Sequence, residues 1–146
     1  MKNEVHALDR ELERLTAKAC PQLLCIFGTG PDTAGALLLA AGDNPERLRG
    51  EASFARLCGV SAVEASSGQT TRHRLNRGGD LHANAAPYRI VMVRLRQRHE
   101  PTIDYVTRRT AEGKSKREII RCLKRYVARE VYRALTEDHA EGSSAA

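Results

Sequence analysis

The chain has 146 residues, with 24 Lys and Arg against 18 Asp and Glu, a formal net charge of +6, 41% hydrophobic residues, 4% aromatic residues and no Trp. That length suits one domain of roughly 100–150 residues and excludes two full catalytic domains. The longest apolar run, Ala34 to Ala41 with only Gly35 inside it, falls short of the ~20 residues that span a bilayer, and no apolar leader follows Met1, so a cytoplasmic protein without membrane contact is expected.

Val5, Leu8, Leu12, Leu15 and Ala19 recur three and four apart among charged residues, which predicts a coiled-coil-like helix over residues 1–19. Pro21 opens a short apolar helix from Gln22 to Phe27. Gly28-Thr29-Gly30 closes it, and Pro31 and Asp32 occupy helix-start positions before Thr33 to Ala41. Helix, glycine turn and helix resemble a helix-hairpin-helix, in which backbone N–H groups at a helix start meet a DNA phosphate. A scaffold hairpin is the alternative, since no Lys or Arg lies between Ala19 and Arg47. The second of these helices is apolar nearly all round and is predicted to be buried, with Gly35 admitting a close neighbour. Ser53 is the predicted N-cap of a helix from Phe54 to Cys58.

From Val60 to Asp80 the chain reads VSAVEASSGQTTRHRLNRGGD, an irregular polar stretch with no sustained period; loops of that length inside a compact domain are more often functional than idle. Helical spacing resumes at Leu81, with Ile90, Val91, Met92, Val93 and Leu95 apolar, Arg89, Arg94, Arg96 and Arg98 solvent-side, and Pro87 in the first turns or at a kink. Pro101 starts the next helix, through Tyr105 to Ala111, and Gly113 closes it. Ser115 and Glu118 form a capping box for the last one, whose Ile119, Leu123, Val127, Val131 and Leu135 keep helical spacing. Residues 136–146 are expected to be a disordered tail. The fold class is mainly α, with the domain proper over 20–135.

Charge is unevenly placed. Residues 1–71 hold 7 basic and 9 acidic residues, residues 72–133 hold 17 and 6, and residues 134–146 hold none and 3. A surplus of +11 confined to one segment makes a polyanion the expected partner, because Lys and Arg that neutralise phosphates release condensed counterions. In that segment Arg outnumbers Lys fourteen to three, and a guanidinium forks onto phosphate where Lys is a point charge. The candidate nucleic-acid contacts are Arg72, Arg74, Arg77, Lys114, Lys116, Arg117, Lys124 and Arg125. A solvated helix surface is the alternative. Few aromatics argue against base stacking as the main contact.

Ser66-Ser67-Gly68 sets two hydroxyls beside a flexible residue, and Gln69, Thr70, Thr71, Arg72, His73, Arg74, Asn76 and Arg77 follow as groups that can hold a phosphate. A serine attacking a phosphodiester needs such donors, together with metal-bound carboxylates or a base. On the residues alone a plain phosphate-binding loop is an equal reading. G-x-S-x-G is absent, which excludes an α/β-hydrolase elbow. Cys20, Cys25, Cys58 and Cys122 miss the spacing of a zinc site and lack the density of a disulfide framework, so they read as reduced core thiols. Asp32, Asp43, Asp80 and Asp104 are scattered, and no metal or other cofactor is expected in this chain.

The ordered blocks I-F-G-T-G-P-D-T-A-G-A-L-L, A-G-D-N-P, F-A-R-L-C-G-V-S, E-A-S-S-G, R-H-R-L-N-R-G-G-D and R-R-T-A-E-G-K-S-K-R-E-I-I-R-C-L-K-R-Y-V-A-R-E-V-Y closely resemble the C-terminal transposase domain of the IS116/IS110/IS902 insertion-sequence family. These are DEDD transposases related to the Piv invertase and described as bridge-RNA-guided recombinases. The resemblance runs from about Leu15 to Leu135. It departs at Phe27-Gly28-Thr29-Gly30, where the family commonly has a Pro-Gly-Ile-Gly turn, and at Ala62, where it has Pro. It implies that the serine before the glycine is the nucleophile, Ser67 here with Ser66 as the fallback. It further implies a composite site with an N-terminal RuvC-like domain whose Asp-Glu-Asp-Asp carboxylates bind Mg²⁺, a covalent phosphoserine–DNA intermediate, strand exchange, and homo-oligomeric assembly through the coiled coil. The implied partners are DNA, a guide RNA, and full-length or N-terminal transposase subunits. This chain begins within the coiled-coil pattern and lacks that N-terminal domain, so it is expected to be a truncated or split product that is inactive alone. A non-catalytic nucleic-acid-binding or subunit-interaction remnant is the second expectation. A ribosome- or RNA-associated basic helical protein fits the charge but not the S-S-G stretch.

Overall fold

A computed structural model describes the backbone of residues 2–60 and 81–144 and the side chains of 2–60 and 83–137. Seven α-helices and one 3-10 turn make up the described residues, with no strand among them: α1 (Lys2–Ala19), α2 (Pro21–Leu24), α3 (Pro31–Asp43), the 3-10 turn Pro45–Arg49, α4 (Glu51–Leu57), α5 (Leu81–Arg96), α6 (Glu100–Ala111) and α7 (Lys116–Ser144). The mainly α class expected from periodicity is the one found.

Several helix limits follow from local chemistry, and some differ from the pattern reading. α3 opens on Pro31 behind an extended Gly30, and it runs through Gly42 until Asn44 Nδ2 donates to the Ala40 carbonyl at 2.8 Å. α4 starts two residues before Ser53, because the Gly50 carbonyl already accepts the Phe54 N–H at 3.1 Å, so Ser53 lies inside the helix instead of capping it. α2 is a single turn, shorter than the expected Gln22–Phe27. The capping box of α7 is formed: Glu118 N–H donates to Ser115 Oγ at 3.2 Å, and Ser115 N–H donates to Glu118 Oε2 at 2.9 Å. α7 continues past Leu135 to Ser144, over residues whose composition reads as a tail; no proline interrupts them.

The core gathers Leu23, Leu37, Phe54, Leu57, Ile90, Val91, Val127 and Val131, each at most 1% exposed. α7 is the spine, touching α2, α4, α5 and α6, while α3 packs between α1 and α5. A Cβ at Gly35 would sit 3.1 Å from Leu12 Cδ1, the close approach that glycine was expected to admit. Burial of α3 is not complete, since Leu39 is exposed. The α1 seam also divides: Thr16 is buried and Leu12 meets α3, whereas Val5, Leu8 and Leu15 face outward.

Arg94 overturns its expected solvent-side placement. Its side chain is 9% exposed. Nε donates to the Phe27 carbonyl at 2.7 Å and Nη2 donates to Glu130 Oε2 at 2.6 Å, because burial of a charge requires partners for its N–H groups. The Phe27 ring stacks on His99 with centroids 4.5 Å apart, and His99 Nδ1 lies 2.8 Å from Thr102 Oγ1. Burial, reinforced by the neighbouring Arg94 charge, holds the His99 imidazole below its ordinary pKa. Arg94 thus fastens the turn after α2 to both α5 and α7.

The same turn separates its two glycines. Gly28 has φ +96°, and a Cβ there would meet the Ile90 carbonyl oxygen at 3.0 Å, whereas Gly30 has open space around it. Gly28→Ala is expected to cost about 1–3 kcal/mol through backbone strain, read as a lowered unfolding midpoint in urea. Gly30→Ala is expected to leave that midpoint within error.

Candidate nucleic-acid interface

The capping box starts α7 at Lys116, so Lys116, Ile120 and Lys124 fall four apart and Arg117 and Arg121 flank them, all on neighbouring rows of one helix. Across from them, α5 presents Tyr88, 48% exposed. Together Tyr88, Lys116, Arg117, Ile120, Arg121 and Lys124 line a surface groove of about 690 Å³, with no acidic residue among its described lining. The two helices run in the same direction. Arg94 of α5 meets Glu130 of α7, and Tyr88, earlier on α5, shares a groove with Lys116 to Lys124, earlier on α7.

A second hollow of about 260 Å³ adjoins the first, lined by Arg109, Lys114, Glu118, Ile119, Arg121, Cys122 and Arg125. Arg121 borders both and joins them into one cationic track. Glu118 is the acid within it, and its carboxylate is held below the ordinary range, chiefly by the Ser115 backbone N–H and further by Lys114 and Arg121. Beside this hollow Tyr105 and Tyr126 meet edge to face, with ring centroids 5.5 Å apart, and the Arg108 and Arg109 guanidinium carbons sit 5.5 and 5.7 Å from the Tyr105 ring centre. Burial, followed by the neighbouring Cys122, pushes the Tyr105 phenol up to about 12.

Which cations remain available is decided by the ion pairs. Arg94 is held by Glu130, Arg109 by Glu112 at 2.7 Å and Arg129 by Glu51 at 3.4 Å. No described carboxylate forms such a pair with Lys116, Arg117, Arg121 or Lys124. Their positive field is therefore exposed to whatever enters the groove.

Of the residues singled out in the sequence, Lys116, Arg117 and Lys124 come together in the groove, and Lys114 and Arg125 in the adjoining hollow. Ser66, Ser67, Arg72, Arg74 and Arg77 lie outside the described residues. Sequence reasoning missed Arg121 and Tyr88. Arg121 was legible, four residues from Arg117 on the same face; Tyr88 was not, because only the pairing of α5 with α7 places it beside the cations.

At the glycine turn, α2 is one turn long and Arg94, the cation that reaches the turn, is occupied by Phe27 and Glu130. Among the described residues no three His, Cys, Asp or Glu side chains converge as metal ligands. Among them, too, no helix is long and apolar enough to cross a membrane. The four cysteines form no disulfide.

A family model described as Transposase IS116/IS110/IS902 family matches residues 20–107. Neither a curated protein nor a solved structure matches the chain.

Proposed function

The chain belongs to the IS116/IS110/IS902 transposase family, and from that premise we propose that it is the C-terminal part of a recombinase that grips DNA through the α5–α7 groove and supplies Ser67 as nucleophile. One observation carries the grip: four cations, none in an ion pair with a described carboxylate, line a single groove, the arrangement that converts counterion release into affinity.

In the chemical step Ser67 Oγ forms a bond to a backbone phosphorus, its proton passes to a base, and the P–O bond to one deoxyribose oxygen breaks, releasing that strand end as a hydroxyl. Attack by another strand's hydroxyl on the phosphoserine reverses these bond changes and completes the exchange. Ser66 is the alternative nucleophile. Mg²⁺ is assigned to a RuvC-like domain outside this chain, and the isolated chain is inactive without it. Arg72, Arg74 and Arg77, close to Ser67 in sequence, are assigned to the attacked phosphate, and the cationic track to flanking backbone or to a guide RNA. The outward Val5, Leu8 and Leu15 of α1 are the apolar stripe on which further subunits assemble. The work is carried out in the cytoplasm.

Salt dependence tests the grip. Each phosphate contact on duplex DNA contributes about −0.9 to the slope of log K against log salt. The fourfold variant Lys116→Ala, Arg117→Ala, Arg121→Ala, Lys124→Ala is expected to flatten that slope by about 3–4. Arg129→Ala, which removes a cation already paired with Glu51, is expected to change it by less than about 1. An unchanged slope in the fourfold variant would remove the groove from the interface.

A further inference from the structure

A duplex presents phosphates on a convex surface, so gripping it calls for cations and has no use for an aromatic ring. The α5–α7 groove has both. Tyr88 stands almost half exposed at its wall, Ile120 is half-buried within it, and Lys116, Arg117, Arg121 and Lys124 complete the lining. A lone helix can enter the major groove of DNA, but here Tyr88 of α5 stands beside the α7 cations and the two helices bound an open hollow between them. A hollow between two helices, an exposed aromatic residue and a row of cations form the platform on which unpaired bases stack while their phosphates follow the charge. The helix start contributes no anion site of its own, since Ser115 and Glu118 already cap it.

We infer that this groove holds an unpaired stretch of nucleic acid strand, with one base stacked on Tyr88 and the neighbouring phosphates on Lys116, Arg117, Arg121 and Lys124. The inference rests on the reading of this face as a nucleic-acid grip and adds that the bound form is a melted strand. Arg121, shared with the adjoining hollow, carries the strand's backbone onward toward Lys114 and Arg125. The aromatic content is low, yet the structure sets one of its few rings where stacking needs it.

Fluorescence anisotropy with labelled oligothymidylate, oligouridylate and a short mixed-sequence duplex tests the inference on the full chain. Tyr88→Ala is expected to weaken binding of the unpaired oligonucleotide by about 5- to 150-fold, the range of a lost base–aromatic stack, and to change duplex binding by less than about twofold. Tyr88→Phe keeps the ring and is expected to bind like the parent. The chain has no Trp, so its emission comes from tyrosine. Oligothymidylate is expected to quench part of that emission in the parent and less of it in Tyr88→Phe. The tighter of the two oligonucleotides identifies the strand as DNA or RNA, and the Tyr88→Ala loss is required with whichever it is. An equal loss on strand and duplex, or no loss on the strand, overturns the inference while leaving the grip standing. A parent that binds none of the three overturns both. Helical circular dichroism of Tyr88→Ala confirms that the substitution leaves the fold in place.

Discussion

Ser67→Ala is expected to abolish the covalent protein–DNA adduct when the carboxylate domain is supplied in trans, with duplex affinity changed by less than about twofold. The substitution removes the one oxygen that the proposed step bonds to phosphorus, and methyl cannot replace it. Binding is expected to survive because the proposed grip rests on the Lys116, Arg117, Arg121 and Lys124 cations of α7, not on one hydroxyl. The adduct is read as a protein–DNA species that persists on a denaturing gel. Ser66→Ala is expected to retain it. Survival of the adduct in Ser67→Ala together with its loss in Ser66→Ala would move the nucleophile by one residue. Absence of an adduct in the parent under the same complementation, with steep salt-dependent binding intact, would make the chain a non-catalytic binding remnant.

Arg94→Met is expected to cost about 2–4 kcal/mol, because two charge-assisted hydrogen bonds disappear from a largely buried site. At roughly 3–5 °C per kcal/mol for a domain of this size, the melting temperature falls by about 10 °C. The two bonds are not equal. The Phe27 carbonyl loses a buried donor, whereas the Glu130 side chain is 46% exposed and regains water, so its half of the pair contributes less. Met preserves the stem that lies 3.4 Å from the Cβ position of Gly28 and isolates the polar loss. Exposed Arg96→Ala serves as the control, expected within about 0.5 kcal/mol of the parent. Thermal circular dichroism measures both, and a shift below about 2 °C for Arg94→Met would show that the fastening is ornamental.

Local features were the readable ones. The box at Ser115 and Glu118, Pro31 and Pro101 at helix starts, and Gly35 as a point of close approach each depend on residues within a few positions or on the absence of a side chain. The features that escaped depend on distance along the chain. Arg94 reads as one of four solvent-side arginines because its partners lie 67 and 36 residues away, and no helical period announces them. Ser53 misled because Gly50, with its extended backbone, starts the helix first. At the candidate site, Lys116, Arg117 and Lys124 were legible from the charge surplus of their segment. That Lys114 and Arg125 belong to an adjoining hollow, and that Tyr88 completes the groove, follows only from the way α6 and α5 flank α7.

The common direction of α5 and α7 has an electrostatic consequence. Each helix carries a macrodipole whose amino end bears about half a positive charge. Antiparallel neighbours would cancel those fields, whereas α5 and α7, running together, add theirs at the end where Lys116 and Arg117 stand. The cap on α7 offsets part of its share through the Glu118 carboxylate. Some of the positive potential at that end of the molecule thus belongs to the backbone, and no exchange of lysine or arginine for alanine takes it away.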